Sequence, residues 1–396
     1  MGICFGKDTD INAVVRNGNI KEIEAILNKK PKKVNQKNEY GDTPIYWASH
    51  YGRKDIVKML IEKGANVNEK NDEGTTPLII SSEKGHKEVA VLLIKRGAIV
   101  NDSDKWNNTA FHGACQNNHM EVVTMLLEEG AEIDCRNNRG DTPLMKACSK
   151  CRKEVALFLI EKGANINIKN KSGSNALIEA CGNGLKSVAE ELIKGGADIN
   201  EKDEAGNTSI IVASTNGHDD IINLLLEHGG DVNDANSKGT TCLHAACGTG
   251  NKSIASLLIE RGADLSAKDE VERTPLFYAC DGCHKYVSLM LLEKGANINA
   301  REKAGWTPLY FACKKDAKDI VVMLLDNGAD PNVTNKKGST VIFWVCKNNK
   351  ARMALLLIEH GANLNLKNEM DKTPLEMCTD KEMKQQIVAY ADRSRV

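Results

Sequence analysis

The sequence predicts an all-α solenoid of paired antiparallel helices with projecting hairpin-like loops, and three observations carry that prediction. The length, 396 residues, is twelve times 33, and a Thr or Thr-Pro marker returns at that interval, so the chain reads as an array of short units rather than as two or three unrelated domains. Within each interval the apolar residues have helical spacing, not strand spacing. A unit this short cannot bury its apolar face alone, so neighbouring units must stack to make a core.

The marker runs through Thr43-Pro44, Thr76-Pro77, Thr109, Thr142-Pro143, Asn175, Thr208, Thr241, Thr274-Pro275, Thr307-Pro308, Thr340 and Thr373-Pro374 without an insertion. Threonine suits a helix N-cap because its oxygen accepts an orphan backbone N–H, and proline at the next position supplies helical φ where no donor is needed. The first helix of each unit starts there. After a polar break, segments such as Asp55 to Glu62 place Ile56, Val57, Leu60 and Ile61 on one stripe of a second helix. Gly64, Gly97, Gly130 and their equivalents to Gly361 then end it, since glycine adopts the left-handed conformation of a C-cap. The Asn/Asp-rich stretch that follows, with Gly41, Gly74 or Gly140 two residues before the Thr, has turn chemistry and makes a projecting loop.

The expected organisation is an N-terminal tail at 1–9, a degenerate capping repeat at 10–37, ten in-register repeats at 38–367, and a C-terminal capping repeat and tail at 368–396. The first cap carries Lys29, Lys30, Lys32 and Lys33, and the last helix around Lys381 to Gln386 offers the polar outer face a terminal unit needs.

These residues resemble the ankyrin repeats, whose pattern is a glycine, TPLHxAA, then GHxxVVxLLLxxGAxxN. The units from Gly74 to Ala98 and from Thr241 to Asp264 are close matches, and the resemblance covers nearly the whole chain. Proline is replaced at Ala110, Ala176, Ser209, Cys242 and Val341, and the loop glycine becomes Asn107, Glu272 or Asp371, departures that bear on single loop shapes and not on the fold. With helix layers roughly 9 to 10 Å apart, twelve units would make a curved rod of about 110 Å. The resemblance implies that loops and first helices line its concave side and bind protein partners.

Composition narrows the function. The 53 basic and 54 acidic residues leave a formal net charge of −1, unlike a nucleic-acid binder, and no stretch approaches the roughly 18 to 20 apolar residues of a membrane span. Thirteen cysteines, an odd number, with no apolar leader point to a reducing compartment. Cys115, Cys148, Cys181, Cys247, Cys280, Cys313 and Cys346 share one slot of the repeat, where a small apolar side chain packs. Cys148 with Cys151, and Cys280 with Cys283-His284, imitate redox and haem-attachment motifs, yet the repeat accounts for them. No metal site, cofactor or disulfide is expected, so redox state and metals should not affect folding. His112 and His244 occupy the TPLH position, and His86, His119 and His218 the inter-helix turn. No triad, Walker, HExxH or GxSxG motif occurs, so no enzyme is expected.

The leading reading is therefore a non-enzymatic interaction scaffold or adaptor in the cytoplasm, with no obligate homo-oligomer and no nucleic-acid partner. Two other readings stand beside it. Gly2 and Cys4 resemble a dual acylation site, against which stands an ordinary tail with Gly6 where Ser or Thr is preferred; acylation would make the chain a peripheral membrane adaptor. The array could equally be a subunit of a cytoskeletal or axonemal assembly. A module of a larger enzyme is disfavoured by the two caps, and Ser394-Arg395-Val396 offers a short C-terminal ligand.

Partner-binding positions follow from the family, in which the loop residues before each Thr and the residues closing the first helix face the partner. Early units offer Glu39, Tyr40, Asp42, Tyr51, Asp72, Glu73 and Glu83, and Trp106 stands in a later loop. Late units offer Arg301, Lys303, Trp306, Lys314, Lys315, Lys336, Lys337 and Lys347. This contrast would steer an acidic partner to the C-terminal third. Trp306 is expected to be an exposed loop-tip anchor, with Tyr310, Phe343 and Phe277 extending its patch and Tyr278, Phe311 and Trp344 in the inter-repeat core.

Overall fold

The computed structural model describes residues 10–393, so Gly2 and Cys4 at one end and Ser394, Arg395 and Val396 at the other lie outside the described residues. The described chain forms 24 α-helices and one 3-10 helix, and its only β features are two isolated bridges, Ser103 to Thr109 and Ala235 to Thr241. Two compact units divide the chain, Met1–Asp198 and Ile199–Val396. Within each, first helices pack on first helices and second on second.

The first helices begin as their caps dictate. Thr76 Oγ1 accepts the Ile79 N–H at 3.2 Å and Thr142 Oγ1 that of Met145 at 3.3 Å, while Asn175, standing where other units have Thr, accepts from Ile178 N at 2.9 Å. Second helices such as Lys54–Glu62 bury Ile56, Val57 and Leu60 and leave their charged ends in water. They close with a Schellman turn: Gly64 has φ +90°, and the next N–H, that of Ala65, donates to Leu60 O at 2.9 Å. A Cβ at Gly64 would meet nothing within 4 Å, so backbone conformation alone demands glycine there.

Two ladders of polar contacts join successive repeats. In the loops, one backbone bond per step links tip to tip within each unit, as in Asp72 N to Tyr40 O, Lys105 N to Glu73 O and Lys336 N to Ala304 O. Tips are held by one side chain that accepts two backbone N–H groups, as where Asn137 takes those of Arg139 and Asp141 at 2.9 and 3.0 Å, and Glu302 those of Ala304 and Trp306 at 2.9 and 3.0 Å. Behind the second helices, Asn68 donates to Gly97 O at 2.9 Å and accepts from Ile99 N at 3.0 Å, a pattern repeated by Asn101 and Asn332.

The loop departures leave the shape intact. Asn107, Glu272 and Asp371 adopt φ of 60, 64 and 56°, the same left-handed conformation as the glycines they replace. The seven slot cysteines are all fully buried, as their packing role requires.

Candidate partner-binding site

In the second unit the loop tips and first helices between residues 306 and 377 enclose an open groove of about 280 Å³. Trp306, Phe343, Trp344, Met370 and Met377 form its apolar lining, and Lys337, Lys347, Ser339 and Glu369 its polar part. Trp306 stacks on Tyr310 with ring centroids 4.0 Å apart and 13° between planes, and Tyr310 meets Trp344 edge-on at 5.6 Å. All three rings are half-buried, so each keeps one side fixed and presents the other. Burial, and then the negative charge of Glu302, push the Tyr310 hydroxyl pKa up, which keeps it neutral. Lys303, Lys314, Lys336, Lys337 and Lys347 are solvent-exposed and enter no ion pair among the described residues.

Several expected positions differ. Trp306 is not an exposed loop tip: its indole lies half-buried against Tyr310. Phe277 and Phe343 are not surface; they are 0% and 3% exposed. Tyr278, Phe311 and Trp344, expected in the core, are the half-buried residues facing outward. The cause is helical geometry. Leu276, Ala279 and Cys280 define the buried face by their i, i+3, i+4 spacing, and residue 278, two positions from Leu276, points roughly 200° away from it. Lys315 is exposed but paired with Asp281 at 3.6 Å, and Asp42 is buried, its carboxylate accepting from Asn38 at 3.2 Å and Asn71 at 2.9 Å, so it offers nothing to a partner.

Tyr278 is instead tied down. Its hydroxyl donates to Asp269 Oδ2 at 2.9 Å, which also accepts Arg273 Nε at 2.9 Å, and the Arg273 guanidinium lies over the Tyr278 ring at 5.0 Å. Burial alone would raise the Asp269 pKa, but these hydrogen bonds and the Arg273 charge outweigh it and hold the carboxyl below its usual range.

In the first unit, Tyr46, Trp47, His50 and Tyr51 form an aromatic cluster, with Trp47 and Tyr51 stacked at 6.0 Å and the Arg16 guanidinium 4.9 Å above the Trp47 ring. Tyr40 is 64% exposed, Tyr51 is exposed, and Trp106 is 53% exposed in its loop. The sequence reading passed over Trp47 and His50, although they stand at the first-helix positions held by half-buried Trp344 and exposed Lys347 in the second unit.

The histidines serve the stack. His112 and His244 complete capping boxes: the Thr109 and Thr241 N–H groups donate to their Nδ1 at 3.2 Å, and each Nε2–H donates across to the next repeat, to Asp141 O at 3.1 Å and Arg273 O at 3.0 Å. Burial keeps both imidazoles neutral by pushing their pKa values down. His86, His119 and His284 hydrogen-bond the carbonyls of His50, Glu83 and Gly248 at the close of the preceding first helix.

A family profile for ankyrin repeats in sets of three matches residues 11–104, 99–170, 177–269, 210–302, 267–335 and 309–390. The chain belongs to the ankyrin-repeat family. No curated relative matches it. Ankyrin repeats mediate protein–protein interactions and are typically non-enzymatic. No helix among the described residues is long and apolar enough to cross a membrane. In the ankyrin register, His112, His244, the slot cysteines and the closing glycines are engaged within the stack, and the outward first-helix and loop-tip side chains differ from repeat to repeat.

Proposed function

We propose that this protein is a non-enzymatic scaffold or adaptor that binds an acidic protein segment on the first-helix and loop-tip face of its second unit. One observation carries the reading: Trp306 and Trp344, both in ring contact with Tyr310, line a groove whose rim bears unpaired lysines. Rigid aromatic surface supplies binding energy at small entropic cost, and the lysines accelerate encounter and select for negative charge. Buried thiols that pack as core support a reducing compartment, the cytoplasm.

The test compares affinity-purified wild-type chain with Trp344→Ala and with Lys337→Glu/Lys347→Glu by quantitative mass spectrometry from the native cell. Specific partners should fall by about tenfold or more with either variant. Retention by both variants, with loss on Tyr40→Ala or Tyr51→Ala, would move the footprint to the first unit and refute the assignment.

A further inference from the structure

A second groove, in the first unit, lies in the same register of the repeat, six repeats earlier, and has a different chemistry. It measures about 630 Å³ and is lined by Arg139, Lys146, Lys150 and Lys171, with Asp141 and Glu179 the only acids. Register equivalence is close: Arg139, Met145, Lys146, Ser149 and Glu179 stand where the 306–377 groove has Lys337, Phe343, Trp344, Lys347 and Met377. Lys146 thus stands where the other groove has Trp344 and Met145 where it has Phe343, so this groove has no aromatic lining.

The four cations are not neutralised. None forms an ion pair among the described residues, although Lys146 is within electrostatic reach of Glu179. Both acids are engaged elsewhere: Asp141 accepts from Asn170 at 2.9 Å and from Asn137 at 3.4 Å, and Glu179 accepts from the Ser174 hydroxyl at 2.8 Å. Burial pushes the Glu179 pKa up, against the pull of the Ser174 hydrogen bond. The volume falls within the range of ligand sites, and the lining donates far more than it accepts.

We propose that this groove binds a polyanionic peptide segment, a run of carboxylate or phosphorylated side chains, through Arg139, Lys146, Lys150 and Lys171. A nucleic-acid strand is disfavoured because the lining contains no ring on which bases could stack. A membrane surface is disfavoured because no apolar side chain other than Met145 belongs to it. The Arg139 fork suits the two oxygens of a phosphate or carboxylate, and the three ammonium groups supply charge around it.

The experiment titrates the full chain into three short fluorescein-labelled peptides, a glutamate–serine repeat, the same peptide with phosphoserine, and a glutamine–serine control, read by fluorescence anisotropy. The anionic peptides should bind and the control should not, with affinity falling as salt rises. Lys150→Glu/Lys171→Glu should weaken binding by about tenfold or more, while Lys58→Glu/Lys95→Glu, at exposed second-helix positions that line neither groove, changes it by less than about twofold. Arg139→Gln/Lys150→Gln, a milder pair with unchanged thermal melting, should show the same direction. A preference for the phosphoserine peptide identifies phosphate as the ligand group, and equal affinity identifies carboxylate. Absence of binding, a loss confined to the Lys337→Glu/Lys347→Glu variant of the other groove, or tighter capture of oligothymidylate or phosphatidylserine vesicles would overturn this site. Trp344→Ala bears on the groove at 306–377 and not on this one, so the two readings fail separately.

Discussion

Replacing Gly250 by alanine sets two constraints of the stack against one methyl group. Gly250 has φ +75°, and an L-residue there costs about 1 to 2 kcal/mol. Its added Cβ would also fall on the imidazole of His284, which packs against it from the next repeat. His284 must then leave and lose its 3.0 Å bond to Gly248 O, worth about 1 kcal/mol. The total is about 2 to 3 kcal/mol, the sum of those two costs. Cys283 is the natural control: it takes the same left-handed conformation at φ 60°, and the residue equivalent to His284 in the following repeat is Ala317. Cys283→Ala should therefore change stability by less than about 0.5 kcal/mol. Urea denaturation by circular dichroism gives the magnitudes, and hydrogen exchange should place the Gly250→Ala loss in the helices Cys242–Thr249 and Pro275–Asp281. In a His284→Ala background the cost of Gly250→Ala should fall by about 1 kcal/mol. If Gly250→Ala is as mild as Cys283→Ala, or costs the same with and without His284, the complementarity of glycine and histidine is wrong.

Acid should weaken the stack through His112 and His244. Their folded pKa values lie below the ordinary 6.5, so the unfolded chain binds protons first; stability is full above about pH 6.5 and is lost as pH falls toward and through the folded pKa, and melting curves of His112→Gln/His244→Gln should show a shallower pH dependence than wild type. Thiol labelling should sort by depth: the slot thiols Cys280 and Cys346, pushed up to about 12 by burial, should resist iodoacetamide at neutral pH while exposed Cys151 and Cys283 react, and fast native labelling of Cys280 would contradict the packing role. Asn68→Ala removes two bonds between repeats and should cost about 1 to 3 kcal/mol in urea denaturation; no measurable loss would remove this ladder from the account of stability.

The fold was legible because its causes are local and recur. A Thr cap, a Pro at the first turn and a closing glycine each act within one helix, and their interval alone established the stack. The cysteine slot was legible for the same reason. Surface chemistry was harder to read, because it depends on rotation about a helix: one position separates buried Phe277 from outward Tyr278, and both are aromatic. Trp306 misled because only the structure shows Tyr310 beneath it. The groove at Arg139 and Lys171 escaped notice because its cations are dispersed along the sequence between neutral residues and gather only when successive repeats stack.

Site-specific photo-crosslinking tests the central claim, that a partner occupies the first-helix and loop-tip face of the second unit. Benzoylphenylalanine would be placed at Lys347 and Met370 in the groove, and at Tyr286, which is exposed on the second helix Lys285–Glu293, as the opposing position. The account predicts covalent capture of the same partner protein from Lys347 and Met370, abolished by Trp344→Ala, with none from Tyr286. Capture from Tyr286 alone would place the partner on the second helices and contradict it.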